Sequence, residues 1–135
     1  LNGQRPLVFE DGNQRRDFVH VEDVAAAFVL ALEHPRAPGG VFNIASGEDR
    51  SVRDVAMLLA SAMGRPNLAP EITGQARAGD VRHCIPDLAL AREVLGYAPR
   101  RAFTDGLREL SDWVARQRAA EDRVQQARQE LEARG

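Results

Sequence analysis

Two periods of apolar residues alternate along this chain. Asp17-Phe18-Val19-His20-Val21 alternates polar and apolar positions and predicts a partly buried strand. A helix is expected next, from about Glu22 to His34, with Glu22 and Asp23 as helix-start acids suited to its macrodipole. Pro35 and Pro38 end it, and Gly39-Gly40 opens a further strand, Val41 to Ala45. Ser51 with Asp54 reads as a capping box before a helix to Met63, whose apolar stripe is Val52, Val55, Ala56, Leu59 and Met63. Shorter signals surround these. Arg5 to Glu10 is extended ahead of an Asp11-Gly12-Asn13 turn, and Glu71-Ile72-Thr73 is a weak strand. Asp87 is placed to cap a helix closed by Gly96, and Thr104 to cap one with Leu107, Leu110 and Val114 on one face.

The first helix breaks the amphipathic rule. Val24 to Leu32 is apolar on every side, whereas a surface helix keeps about half its circumference polar. Either the chain wraps this helix as its centre, or one face docks against a second domain. The tail from Ala115 to Gly135 is rich in Arg, Glu, Gln and Ala, and Val124, Ala127 and Leu131 predict a helix, read as solvated in preference to a coiled-coil partner site because its apolar stripe is narrow. The expected organisation is a domain over 1–114 followed by a charged helical tail over 115–135.

At 135 residues, with 44% apolar and 28% charged residues, the composition is that of one soluble globular domain. The formal charge of −2 gives no footprint for nucleic acid, so no nucleic-acid partner is expected. No apolar run reaches the roughly 20 residues of a membrane span, and no secretory signal is read, so no membrane partner is expected. The lone Cys84 favours a cytoplasmic protein and is expected to be a buried, inert thiol. All 18 basic residues are arginine. With no lysine there is no lysine base or Schiff-base former, only fixed charges with forked donors.

Such forks suit a diphosphate, because a guanidinium can grip its oxygens with two parallel bonds. Arg16 and Arg77 lie in separate segments, Arg16-Asp17-Phe18-Val19-His20-Val21 and Arg77-Ala78-Gly79-Asp80. Together they could clamp such an anion while a nearby carboxylate accepts ribose hydroxyls. Spacing alone leaves a chance surface pair open.

Four strings in order carry a resemblance: Pro6 to Gly12; Arg16 to Val21 with Asp23-Val24-Ala25; Val41 to Glu48 with Ser51; and Arg77 to His83 with Asp87, Ala91, Leu95-Gly96-Tyr97 and Pro99. They are similar to the carboxy-terminal, nucleotide-sugar-binding part of extended short-chain dehydrogenase/reductases, the NAD-dependent epimerase/dehydratase family. The likeness runs to about Trp113. It implies an α/β fold, a small mixed unit of a few short strands and about four helices, belonging to a Rossmann-type enzyme. It further implies that Arg16 and Arg77 hold the diphosphate, that Asp80 accepts ribose hydroxyls, and that Leu7, Val8 and Phe9 form the edge under the nucleobase. His20 is given a structural role, and Tyr97 a packing role in the Leu-Gly-Tyr turn.

The chain also departs from that family. Neither the catalytic Tyr-x-x-x-Lys nor the Gly-x-x-Gly-x-x-Gly turn is present; Tyr97 is followed four places on by Arg101. No catalytic, cofactor-binding or metal-binding residue is therefore assigned. The expectation is a carboxy-terminal fragment of a nucleotide-sugar epimerase or dehydratase. Its parent uses NAD and is a candidate homodimer; the fragment binds no cofactor, is inactive alone, and lacks its partner, the N-terminal Rossmann domain. Two alternatives remain: a self-contained, non-catalytic binding or interaction domain, and part of a nucleotide-sugar reductase.

Overall fold

The computed structural model describes residues 3–76, 79–117 and 130. Its elements in chain order are β1 (Leu7–Val8), β2 (Arg15–Asp17), α1 (Val21–Glu33), β3 (Asp49–Ser51), α2 (Val52–Ala62), β4 (Glu71–Ile72), β5 (His83–Cys84), α3 (Ala89–Leu95) and α4 (Phe103–Ala115). The mixed α/β class read from the sequence is the one observed. β1 and β4 pair in parallel. β2 is the centre of a second sheet, antiparallel to β3 and parallel to β5.

Local chemistry sets the helix ends. The Ser51 hydroxyl accepts the Asp54 N–H at 3.0 Å, as the capping box predicts. Asp87 Oδ1 accepts the Ala89 N–H at 2.8 Å ahead of α3, and Gly96 closes that helix at φ 65°, where a side chain would be strained. His20 caps α1: its Nδ1 accepts the Glu22 N–H at 3.2 Å.

Five sequence expectations are corrected or fall outside the description. The strand at Asp17–Val21 lies earlier, at Arg15–Asp17, because His20 is spent on capping and Val21 already begins α1. Val41–Ala45 forms no strand among the described residues, since none of their strands runs beside it. It keeps its alternation, with Val41 exposed, Phe42 and Ile44 half-buried and Ala45 buried. Helix α4 begins one residue before Thr104, which is therefore not its cap. Cys84 is exposed because β5 is a two-residue strand with both side chains outward. Most of the charged tail, 118–129 and 131–135, lies outside the described residues.

The core packs Ala27, Ala37, Ala45, Leu88, Ala91, Leu95 and Tyr97, with Leu30, Phe42 and Ile44 against it. Alanines let α1 and α3 approach closely, and Tyr97 supplies most of the volume. The Tyr97 hydroxyl donates to the Ala45 carbonyl at 2.9 Å, so its polar tip is satisfied inside. Burial pushes the Tyr97 phenol above its ordinary pKa, and the charges of Asp23 and Asp17 add to the shift.

Helix α1 is not enclosed. Asp23 and Ala27 are buried, but Phe28 is 67% and Leu32 86% exposed, with Val21 and Val29 also outward. Of the two readings of this helix, the central one fails.

Candidate functional site

The β2 register brings Arg16 level with Cys84 on one side and Arg50 on the other. From there the Arg16 guanidinium reaches the segment leading into β5. Its Nη2 donates to Asp80 Oδ1 at 3.1 Å and to the Val81 carbonyl, and its Nη1 donates to the Arg82 carbonyl at 2.8 Å and the Arg15 carbonyl at 2.9 Å. Two segments more than sixty residues apart thus converge on one ion pair. Both partners remain partly open to solvent, at 27% for Arg16 and 37% for Asp80.

A second clip holds the same segment from the other side. Arg82 donates from Nη1 to Glu10 Oε2 at 2.8 Å and from Nη2 to Asp11 Oδ2 at 2.7 Å. The Arg82 guanidinium, helped by the Asn13 N–H, holds the Asp11 carboxyl well below the usual carboxylate range. Gly12 makes that turn possible. It sits at φ 77°, and an added Cβ would stand 3.1 Å from both Val8 Cγ1 and Arg53 Cβ. Beside it Arg15 pairs with Asp49, which lowers the Asp49 pKa and raises that of Arg15.

Of the residues singled out from the sequence, Arg16 and Asp80 are brought together. Arg77 lies outside the described residues. Leu7 is 40% exposed and Phe9 half-buried, while the Val8 side chain is buried and its carbonyl accepts the Thr73 N–H at 2.9 Å. His20 plays a structural part, capping α1 from Nδ1 with Nε2 3.4 Å from Glu109 Oε2. The Gly106 backbone packs so closely on this ring that a Cβ there would lie 2.8 Å from His20 Cδ2.

Sequence reasoning gave no part in the site to five residues that hold it and its surroundings. Arg82 and its acids, Glu10 and Asp11, stood inside the strings already quoted, yet only folding shows that they meet. Asp17 accepts the Ser46 and Gly47 N–H groups, each at 2.7 Å, and so anchors the 46–49 loop to β2. Asp23, read only as a helix-start acid, is buried and accepts the amides of Arg100 and Arg101 at 2.9 and 3.2 Å.

The arrangement offers an anion or a polyol specific groups. Arg16 Nε and Asp80 Oδ2 have no hydrogen-bond partner among the described residues. One is a donor carrying positive charge, the other a carboxylate acceptor.

Known proteins resemble this chain in sequence and in fold. Residues 1–45 match the NAD dependent epimerase/dehydratase family profile. The dTDP-L-rhamnose 4-epimerase of Burkholderia thailandensis is 38% identical over 110 residues, covering 82% of this chain and 30% of that protein. The structure of Thermotoga maritima UDP-glucose 4-epimerase with UDP-glucose matches at a TM-score of 0.76 and 34% identity, over 84% of this chain and 35% of that one. UDP-glucuronic acid 4-epimerase from Bacillus cereus, in complex with UDP-glucuronic acid and NAD, matches at 0.75 and 27%, over 84% and 36%. The chain thus spans about a third of the length of these relatives. In sequence and in fold, it belongs to the NAD-dependent epimerase/dehydratase family.

Proposed function

We propose that this chain is the nucleotide-diphosphate-sugar-binding portion of a nucleotide-sugar epimerase or dehydratase. The convergence of Arg16 and Asp80 at 3.1 Å carries the reading. Arg16 lends its charge and its Nε donor to the diphosphate, joined by Arg77 from the segment just before Asp80. Asp80 accepts ribose hydroxyls through Oδ2. Leu7 and Phe9 offer the nucleobase an edge, with Val8 fixing that strand from inside. The Arg82 clip holds the 80–82 segment in place before ligand arrives, which lowers the ordering cost of binding.

NAD belongs to the parent enzyme in this reading. A dinucleotide pyrophosphate is received by a glycine-rich turn that leads from a strand into a helix N-terminus. No described helix offers that: α1 is capped by His20, α2 by Ser51, and α3 and α4 follow Asp87-Leu88 and Pro99 to Ala102. These residues do not fit the cofactor, and no redox step is assigned to them. The outward Phe28, Leu32 and Val41, together with the strandless 41–45 segment, supply an apolar face for the Rossmann part of the relatives.

Isothermal titration with UDP-glucose and dTDP-glucose tests the ligand assignment. Saturable binding is expected, and Arg16→Ala should weaken it about tenfold or more, the loss of one charge-assisted contact. Binding that is unchanged in both Arg16→Ala and Asp80→Ala would overturn it.

A further inference from the structure

Next to Arg16, a second group of arginines borders a pocket, and some of their donors are unmet among the described residues. Arg50 is the cross-strand partner of Arg16, so the two side chains leave the same face of the sheet. Instead of turning towards Asp80, Arg50 lies 4.6 Å over the Phe103 ring and donates from Nη2 to Glu48 at 2.8 Å. There it helps line a pocket of about 450 Å³ with Ser46, Glu48, Arg100, Arg101 and Thr104.

Three observations mark this pocket as short of acceptors. The Nε atoms of Arg50 and Arg101 are buried and have no hydrogen-bond partner among the described residues. Arg101 is pinned from outside by Glu109, and its Nε stands 3.4 Å from Glu22 without hydrogen-bond geometry. The exposed Arg100 side chain makes no hydrogen bond or ion pair among the described residues; only its amide is engaged, on Asp23. Finally, α4 starts at the pocket without a side-chain cap, leaving the Phe103 and Thr104 N–H groups unbonded among the described residues at the positive end of a 13-residue helix. Among the described residues Glu48 is the single carboxylate lining the pocket, against three guanidinium groups.

A buried donor left without an acceptor is costly, and a tetrahedral oxyanion presents acceptors in several directions at once. We propose that this pocket is a second anion site, separate from the Arg16–Asp80 pair, and that it takes a phosphate group. The phosphate could come free from solution or be borne by a larger ligand. The inference stands without the nucleotide-sugar reading, since none of its donors belongs to that site.

Titration of inorganic phosphate into the ¹⁵N-labelled chain, followed by NMR, tests it. Saturable shifts are expected at the Phe103 and Thr104 amides and at the Arg50 and Arg101 Nε–H signals. Arg100→Gln, at a side chain with no hydrogen bond or ion pair among the described residues, should weaken binding about tenfold, and Glu48→Gln should tighten it by removing the competing carboxylate. Arg16→Gln should leave it within about twofold, because separated sites act independently. A sugar 1-phosphate that binds more tightly than inorganic phosphate identifies a larger ligand, and equal affinity identifies the free anion; both support the site. Shifts that never saturate, or an affinity lost in Arg16→Gln but kept in Arg100→Gln, would overturn it.

Discussion

The interior around Tyr97 and the charged rim around Arg16 are held together by different physics. Inside, small side chains let α1 and α3 meet, and the few polar groups are buried with their partners: the Tyr97 hydroxyl on Ala45 and the Asp23 carboxylate on two amides. At the rim, Arg15, Arg16 and Arg82 pair with Asp49, Asp80, Glu10 and Asp11 in contact with solvent. Such exposed pairs each contribute on the order of 0–1 kcal/mol, because water and salt screen them. The interior therefore carries stability, and the rim carries position and charge. A site built at the rim can exchange its own ion pairs for those of a ligand at little cost to the fold.

The largest effect is expected from Tyr97→Ala, which removes a buried ring and its hydrogen bond. It should destabilise the chain by about 4 kcal/mol, measured by urea unfolding. A loss below about 1 kcal/mol would mean that the interior is not where stability resides. Asp23→Ala should cost about 3 kcal/mol by leaving the Arg100 and Arg101 amides unmatched, with a visible loss of helical signal.

The two regions should also separate by pH. Asp11 and Asp49 have lowered pKa values in the fold, so their contribution is present above the ordinary aspartate range. It is lost as pH falls below about 4. Tyr97 has a raised pKa, so its contribution is present below the ordinary tyrosine range and is lost as pH rises above about 10. Thermal melts across pH should show both limbs, and Arg82→Ala should flatten only the acid one. An alkaline limb altered by Arg82→Ala would merge regions that are here distinct. The smallest effect is expected from Leu32→Gln on the outward face of α1. Stability should change by no more than about 0.5 kcal/mol while binding of an apolar dye falls.

Helices were the most legible part of the fold, since most of their ends are written in local chemistry; α4, which begins ahead of Thr104 without a side-chain cap, is the exception. Ser51 and Asp54 begin α2, and prolines and glycines stop the helices wherever they were expected to end. The family strings likewise named Arg16 and Asp80, and the fold pairs the two at 3.1 Å. Strands were less legible, because pairing depends on what lies alongside. Val41 to Ala45 has the alternation of a strand and no partner among the described residues, while Arg15–Asp17 has little strand character and two partners.

What the sequence determined by itself was the mixed class, most of the helix ends, and a supply of fixed positive charge without lysine. Only the tertiary structure decided which charges meet: Arg82 reaches back 71 and 72 residues to Asp11 and Glu10, and Asp23 ties α1 to the start of α4. It also left Arg50 and Arg101 with buried Nε donors unmet among the described residues. The reason is physical. A helix closes its hydrogen bonds within four residues and so can be read locally, whereas an ion pair forms between whichever side chains the packed backbone brings within reach.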